Sequence, residues 1–350
     1  MDRRAASLGL AFALGVGVLL PALAHGTLAA EPEPLARFLV LGDTGTGAAG
    51  QYHVKDGFMT VCAARGCDFA MINGDLIYDT GVSSVDDPQF QTKFEMPYAD
   101  VPLTFYLTTG NHDNSDPRDG GLGTDPGRGD IEVAYHSKPG TSGKWYLPAR
   151  SYEARIGDVS LFSLDTNTMM SYGVTRRGAD PVATVQDEDP AMLAQERWLD
   201  AAMAASDARW KIAFGHHPLY ANGEHGNAGA YDGQGQDVAG APFPTTLGLG
   251  VKLFLESHVC GKADLYLAGH DHDLEWLQPN ASCGATELIV SGAGSKSRPL
   301  QDPARNPVRF QQGGTTGFWW ISLADDAMTA ACYDADATLL YELTIPKPLL

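Results

Sequence analysis

Six side chains able to hold a hard cation stand where short apolar runs give way to polar loops: Asp43, Asp75, Asn111, His216, His270 and His272. All are oxygen or imidazole donors, with no thiolate among them. Mixed O/N sets suit iron, manganese or zinc better than copper(I) or an iron–sulfur cluster. A carboxylate can bridge two cations, so one shared Asp with donors on either side makes a binuclear site, its ions typically ~3.5–4 Å apart. Glycine precedes most of these donors (Gly42, Gly74, Gly110, Gly215, Gly269), which lets the backbone turn sharply and approach the cluster closely. Taken singly, each Asp or Asn reads as a turn residue; the ordered set is what points to metal.

The elements that must position them are legible as a repeated pattern. RFLVLG runs into GDTGTG, FAMING into GDLIYDTG, PLTFYLTTG into NHDNSD, WKIAFG into HHPLY and ADLYLAG into HDHDLEW. Runs of this length and apolarity suit strands buried on both faces, and ligands gather outside the carboxyl ends of such strands. Pro190–Ala205, with Pro at its start and Met192, Leu199, Ala202 and Met203 at helical spacing, is the clearest helix. SYEARIG and VSLFSLD read as a hairpin, and Gly317–Leu323, Met328–Tyr333 and Leu339–Ile345 as a terminal meander. The expected fold is α/β, with two packed mixed β-sheets flanked by helices in a single domain over residues 31–350. Segments 115–130 and 172–189 read as long loops of the kind that line active sites.

In order, GDTG, GDLIY, GNHD, GHHP and GHDH resemble the metallophosphoesterase (calcineurin-like) superfamily, and more closely its small purple acid phosphatases. The superfamily commonly opens with D-x-H, whereas Asp43 is followed by Thr44-Gly45. Purple acid phosphatases use a tyrosinate instead, three residues after the bridging Asp, and Tyr78 stands there. The similarity extends through YDTGV, QERWL, GEHG and VSGAG, covering roughly Phe38 to Gly294. It implies an αββα sandwich and a binuclear centre. Asp43, Asp75, Tyr78 and His272 would hold ferric iron, while Asp75, Asn111, His216 and His270 would hold Fe(II), Zn or Mn. His112 and His225 match the positions facing the leaving group and substrate, and His217 a position that contacts substrate or backs the ligands. Asp113 and Asp273 are expected to orient neighbouring groups; His53, His136 and His258 fit no motif.

Metal coordination lowers the pKa of water from 15.7 to ~7 for zinc, so a metal-bound hydroxide is expected to attack phosphorus while His112 and His225 assist the leaving group. The expected function is an acid phosphatase acting on phosphate monoesters. Alternatives on the same centre are a phosphodiesterase, pyrophosphatase or nucleotidase, and from another class a metal-holding module without activity.

Composition bounds the rest. The chain has 350 residues, 44% of them hydrophobic, with 24 Lys+Arg against 43 Asp+Glu. No Lys/Arg-rich run marks a nucleic-acid surface, and the expected partner is a small phosphorylated substrate; the sequence leaves oligomeric state open. Met1–Ala30 begins with Arg3-Arg4, continues as LGLAFALGVGVLLPALA and exits through small residues. This reads as a secretory signal peptide cleaved near residue 24 or 30, so the mature protein is expected to be secreted or periplasmic, with no membrane contact. An uncleaved anchor and twin-arginine export are the rival readings. Of five cysteines, Cys62–Cys67 and Cys260–Cys283 are the expected disulfides, and Asn280-Ala281-Ser282 is a glycosylation sequon.

Overall fold

The apolar runs become strands, and the loops bearing the chemistry emerge at one end of them. The computed structural model describes residues 33–170, 190–233 and 248–349. In chain order the strands are β1 (Ala36–Leu41), β2 (Phe69–Asn73), β3 (Phe105–Thr108), β4 (Trp145–Tyr146), β5 (Tyr152–Ile156), β6 (Val159–Ser163) and β7 (Trp210–Phe214). They continue as β8 (Leu265–Ala268), β9 (Leu274–Leu277), β10 (Glu287–Ser291), β11 (Val308–Gln312), β12 (Gly317–Leu323), β13 (Ala327–Asp334) and β14 (Leu339–Pro346). The α-helices among the described residues are α1 (Ala49–Arg65), α2 (Pro126–Tyr135), α3 (Thr166–Met170), α4 (Pro190–Ala205) and α5 (Leu249–His258).

One seven-stranded sheet runs β14-β13-β12-β1-β2-β3-β4, the other β11-β9-β10-β8-β7-β6-β5. In the first, β1, β2, β3 and β4 are parallel; in the second, β6, β7, β8 and β10 are. The outer strands pair antiparallel, including the expected hairpin β5–β6 and the terminal meander. Both sheets are mixed, as expected. Every residue of β2, β6, β8, β9 and β10 is buried, which is why these runs carry no polar alternation.

The sheets meet face to face through one apolar core. Trp276 of β9 and Trp319 of β12 pack edge-to-face at 6.0 Å, and the Trp319 indole N–H donates to Val290 O at 3.1 Å. Ser291 Oγ donates to Val40 O at 2.8 Å, tying β10 to β1. Helix α1 presents Val54, Phe58 and Val61 to the first sheet. Leu199 and Met203 of α4, with Val251, Phe254 and Leu255 of α5, join Ala213, Tyr266 and Val290 of the second sheet in another apolar cluster.

Cys62 pairs with Cys67 and Cys260 with Cys283, while Cys332 is a buried thiol. The segment read as a loop over 115–130 instead contains the start of α2. Gly127 and Gly129 lower its helical propensity, and tertiary contacts supply what propensity lacks: Tyr135 stacks on Phe90 at 3.7 Å, and the Trp145 indole donates to Glu132 O at 3.1 Å. The expected signal segment 1–30 and the whole of the loop 172–189 lie outside the described residues. Among the described residues, no helix is long and apolar enough to cross a membrane.

Candidate metal centre

Side chains just beyond β1, β2 and β8 are re-aimed by unusual backbone. Asp43, Asp75 and His270 adopt left-handed conformations, with φ of 59°, 52° and 71°. Non-glycine residues rarely do so, and each costs of order 1–3 kcal/mol. A fourth such residue, Asp232 (φ 59°), adjoins His225, so four of the five among the described residues cluster here. Close approach explains the glycines: a Cβ on Gly110 would stand 2.3 Å from Asp75 Oδ1, and one on Gly74 would stand 2.4 Å from His216 Nδ1.

One pocket gathers Asp43, Tyr78 and His272, all buried. The Tyr78 hydroxyl donates to Asp43 Oδ1 at 2.8 Å and lies 3.1 Å from His272 Nε2, which is 3.3 Å from Asp43 Oδ1. Asp75 joins them, with donor atoms of Asp43, Asp75 and His272 all within 4.8 Å of one another. Burial pushes the Asp43 carboxyl up to about 7, the charge of Asp75 adding to the effect. Burial also opposes charge on Asp75, but the imidazoles of His216 and His112 outweigh it and hold that carboxyl below its ordinary range. Tyr78 is raised well above a free phenol, by burial and then by Asp43 and Asp75. Two carboxylates and a phenol crowded out of water are what a cation would relieve.

The second pocket makes the same point through lone pairs. His216 Nδ1 lies 2.8 Å from Asn73 O, and a carbonyl only accepts, so the proton is on Nδ1. The Asn111 amide donates to Gly121 O at 2.6 Å, which turns its Oδ1 inward. The bare His216 Nε2 then faces Asn111 Oδ1 at 2.8 Å, with His270 Nδ1 at 3.1 Å from that oxygen and 3.2 Å from His216 Nε2. Asp75 Oδ1 is 3.5 Å from His216 Nε2. Even with a proton on His270 Nδ1, a neutral His216 leaves Nε2 and Asn111 Oδ1 facing each other as acceptors, an arrangement that repels unless a positive species, a proton or a metal ion, lies between them. The residues present therefore fit a pair of metal ions sharing Asp75.

The two candidate proton carriers sit on the open side. The side chain of His112 is 22% exposed; its Nδ1–H donates to Asp79 O at 2.6 Å, and its Nε2 lies 4.0 Å from Asp75 Oδ2. His225 is 23% exposed, stacks on His270 at 4.1 Å and donates through Nδ1 to Asp232 at 2.6 Å. Burial disfavours its cation, yet Asp232 and Asp271 outweigh burial and raise its pKa. Of the two readings of His217, its position fits the second. It is fully buried, its Nδ1 is 2.9 Å from Thr166 Oγ1, and its ring packs on His270, so it backs the imidazole pocket. His53, His136 and His258 pair with Asp336, Trp145 O and Asp200, away from the centre.

Supporting residues complete the site. Asp113 accepts from the backbone N–H groups of Leu76, Ile77 and Gly110, locking the turns that carry Asp75 and Asn111. Asp273, the other expected orienting residue, is buried beside Glu275. Thr166 Oγ1 accepts from the N–H groups of His216 and His217, and Asp271 from those of His225 and Gly226. Thr166, Asp232, Lys296 and Arg298 were not marked by sequence. Asp232 alone had a signal, as an acid seven residues beyond His225.

A family model described as calcineurin-like phosphoesterase matches residues 36–274. The chain is 28% identical over 362 residues to tartrate-resistant acid phosphatase type 5 of Mus musculus, covering 95% of this chain and 97% of the relative. It is 30% identical over 323 residues to purple acid phosphatase 7 of Arabidopsis thaliana, covering 89% and 86%. Among solved structures it is similar to GAP50, the anchor in the inner membrane complex of Plasmodium, with a TM-score of 0.64, 18% identity and 89% of each chain covered.

Proposed function

Since the chain belongs to the calcineurin-like phosphoesterase family and is a metal-dependent phosphoric ester hydrolase of the purple acid phosphatase kind, we propose that it is an exported acid phosphatase cleaving phosphate monoesters. Ferric iron would be held by Asp43, Asp75, Tyr78 and His272, and Fe(II), zinc or manganese by Asp75, Asn111, His216 and His270. When bound, such ions acidify water and neutralise phosphoryl oxygens. The chain's own groups supply the rest. His112, fixed by its Nδ1–H to Asp79 O, turns Nε2 toward the bridging carboxylate and the open face. His225, kept cationic to higher pH by Asp232, holds a proton for a departing alkoxide. Such assistance is typically worth about 10²–10⁴-fold.

The observation that carries this reading is the Tyr78 hydroxyl wedged between Asp43 Oδ1 and His272 Nε2. A phenol there becomes a ligand only under a strongly charged ion. GAP50 is described as an anchor, so the fold alone does not imply hydrolysis; the complete donor set with His112 does. Export rests on residues 1–30, and the free mature form would be periplasmic or secreted. Metal analysis with a visible spectrum tests the reading. Iron, a phenolate-to-iron absorption band lost in Tyr78→Phe, and hydrolysis of p-nitrophenyl phosphate in mild acid are expected. An active, colourless, iron-free enzyme would overturn the purple assignment.

A further inference from the structure

The segment between Asn111 and α2 holds one apolar side chain out in water close to His112. Leu122 is 77% exposed, while Gly121 and Gly123 on either side of it are buried. The other large apolar side chains left exposed among the described residues, Met96, Leu339 and Leu349, belong to segments that carry no candidate ligand. A single exposed leucine on a loose loop needs no explanation. This loop is not loose.

Both flanks of Leu122 are gripped. The Asn111 amide donates to Gly121 O at 2.6 Å, so a candidate metal ligand holds the peptide that leads into Leu122, and Gly121 N donates to Asp119 Oδ1 at 3.0 Å. On the other side Gly123 N donates to Ser115 Oγ at 2.8 Å, and Gly123 O accepts from the Asn167 amide at 3.2 Å. Ser115 Oγ in turn donates to Asn111 O at 2.7 Å. The fit leaves no slack: a Cβ on Gly121 would stand 2.4 Å from His112 Cε1, and one on Gly123 would stand 2.3 Å from Asn167 Oδ1. Leu122 is thus one peptide, ~3.8 Å between Cα atoms, from a residue that lies against the His112 ring.

The surroundings of the two proton carriers therefore differ. His225 has Asp232, Glu224 and Arg298 about it, whereas the loop beside His112 ends in a leucine. A leucine kept in water adds nothing to the core, but an apolar group that covers it gains by leaving water. Because the backbone on both sides is already fixed, little ordering opposes that contact.

We propose that Leu122 is a specificity-determining residue: it packs against the organic group of the ester beside His112, and so favours monoesters of apolar alcohols or phenols over those of glycerol or sugars. The proposal rests on the hydrolase reading above, in which His112 faces the leaving group, and it names the kind of group that leaves.

The test uses the metal-loaded full chain and calorimetry with benzylphosphonate against methylphosphonate, two ligands that share a head group, cannot be hydrolysed at the P–C bond and differ in the apolar part. The wild type should bind benzylphosphonate more tightly. Leu122→Ser should lower the affinity ratio by roughly five- to tenfold, with metal content unchanged, and Leu122→Phe should hold it at or above the wild-type value. The kcat/KM ratio for phenyl phosphate over glycerol 2-phosphate, each variant compared with the wild type, should move in parallel. A wild-type ratio near one, an unmoved ratio in Leu122→Ser, or equal losses on both phosphonates would overturn the proposal; the last would mean that Leu122 acts only by bracing the loop on Asn111. Failure of the wild type to hydrolyse either ester would sink the hydrolase reading, while the phosphonate ratio would still decide whether Leu122 makes the contact.

Discussion

Loops leaving the first sheet carry Asp43, Asp75, Tyr78 and Asn111, whereas loops leaving the second carry His216, His270 and His272. The oxygen side brings the charge. Its carboxylates are buried, crowd one another and sit in left-handed backbone. The nitrogen side brings orientation at little electrostatic cost. His216 is fixed by Nδ1–H to Asn73 O and by its backbone N–H to Thr166, and burial holds the pKa of His270 well below its ordinary value, so it stays neutral. Each pocket draws donors from both sides, so an ion in either would join the two sheets across their seam. Charge is thus concentrated where repulsion is greatest, and imidazoles are placed where hydrogen bonds can aim them in advance.

The largest effect should follow from removing the one residue shared by both pockets. Asp75→Ala should abolish tight binding of both ions and lower kcat/KM by more than the 10–100-fold typical of outer-shell partners. His216→Ala should cost one ion per chain and leave the other. Metal analysis after dialysis checks the pair, and equal losses would mean that the pockets do not share Asp75. Next in size is His112→Ala, expected to lower kcat by about 10²–10⁴-fold with metal content unchanged. Loss of metal in that variant would move His112 into the ligand set.

This division also explains what the sequence could show. Donors at the ends of apolar runs were legible because a buried parallel strand has to be followed by a turn, and Asp43, Asp75, Asn111, His216 and His270 all sit within a few residues of one. The hairpin, the meander and α4 were legible from periodicity and turn residues. Tyr78 became legible as a ligand only through resemblance, because a tyrosine after a strand is ordinarily core. Thr166 acts across the fold at a position with no spacing relation to the donor it serves. Helix α2 was hidden by Gly127 and Gly129, since stacking of Tyr135 on Phe90, and not propensity, holds it. His217 read either as a substrate contact or as backing for the ligands; burial, a ring 5.0 Å from that of His216 and the Thr166 hydroxyl at its Nδ1 put it on the inner side of the imidazole pocket.

The smallest effects test whether the charged side needs more support than the neutral one. Asp113 Oδ2 accepts from Leu76 N at 3.1 Å and Gly110 N at 2.7 Å, and Oδ1 from Ile77 N at 2.9 Å. Asp113→Ala leaves three buried donors without a partner, each costing about 1–3 kcal/mol, and Asp113→Asn leaves at least one. Both turns that present Asp75 and Asn111 loosen together, so metal affinity should fall by roughly 10–100-fold in Asp113→Ala. Thr166→Val also orphans two donors, the N–H groups of His216 and His217, but His216 keeps its bond to Asn73 O and hence its aim. That variant should lose stability on a comparable scale, read as Tm, while its metal affinity changes by less than about tenfold. If Thr166→Val loosened metal as much as Asp113→Ala, the imidazoles would be no better fixed in advance than the carboxylates, and the asymmetry between the two sheets would not hold.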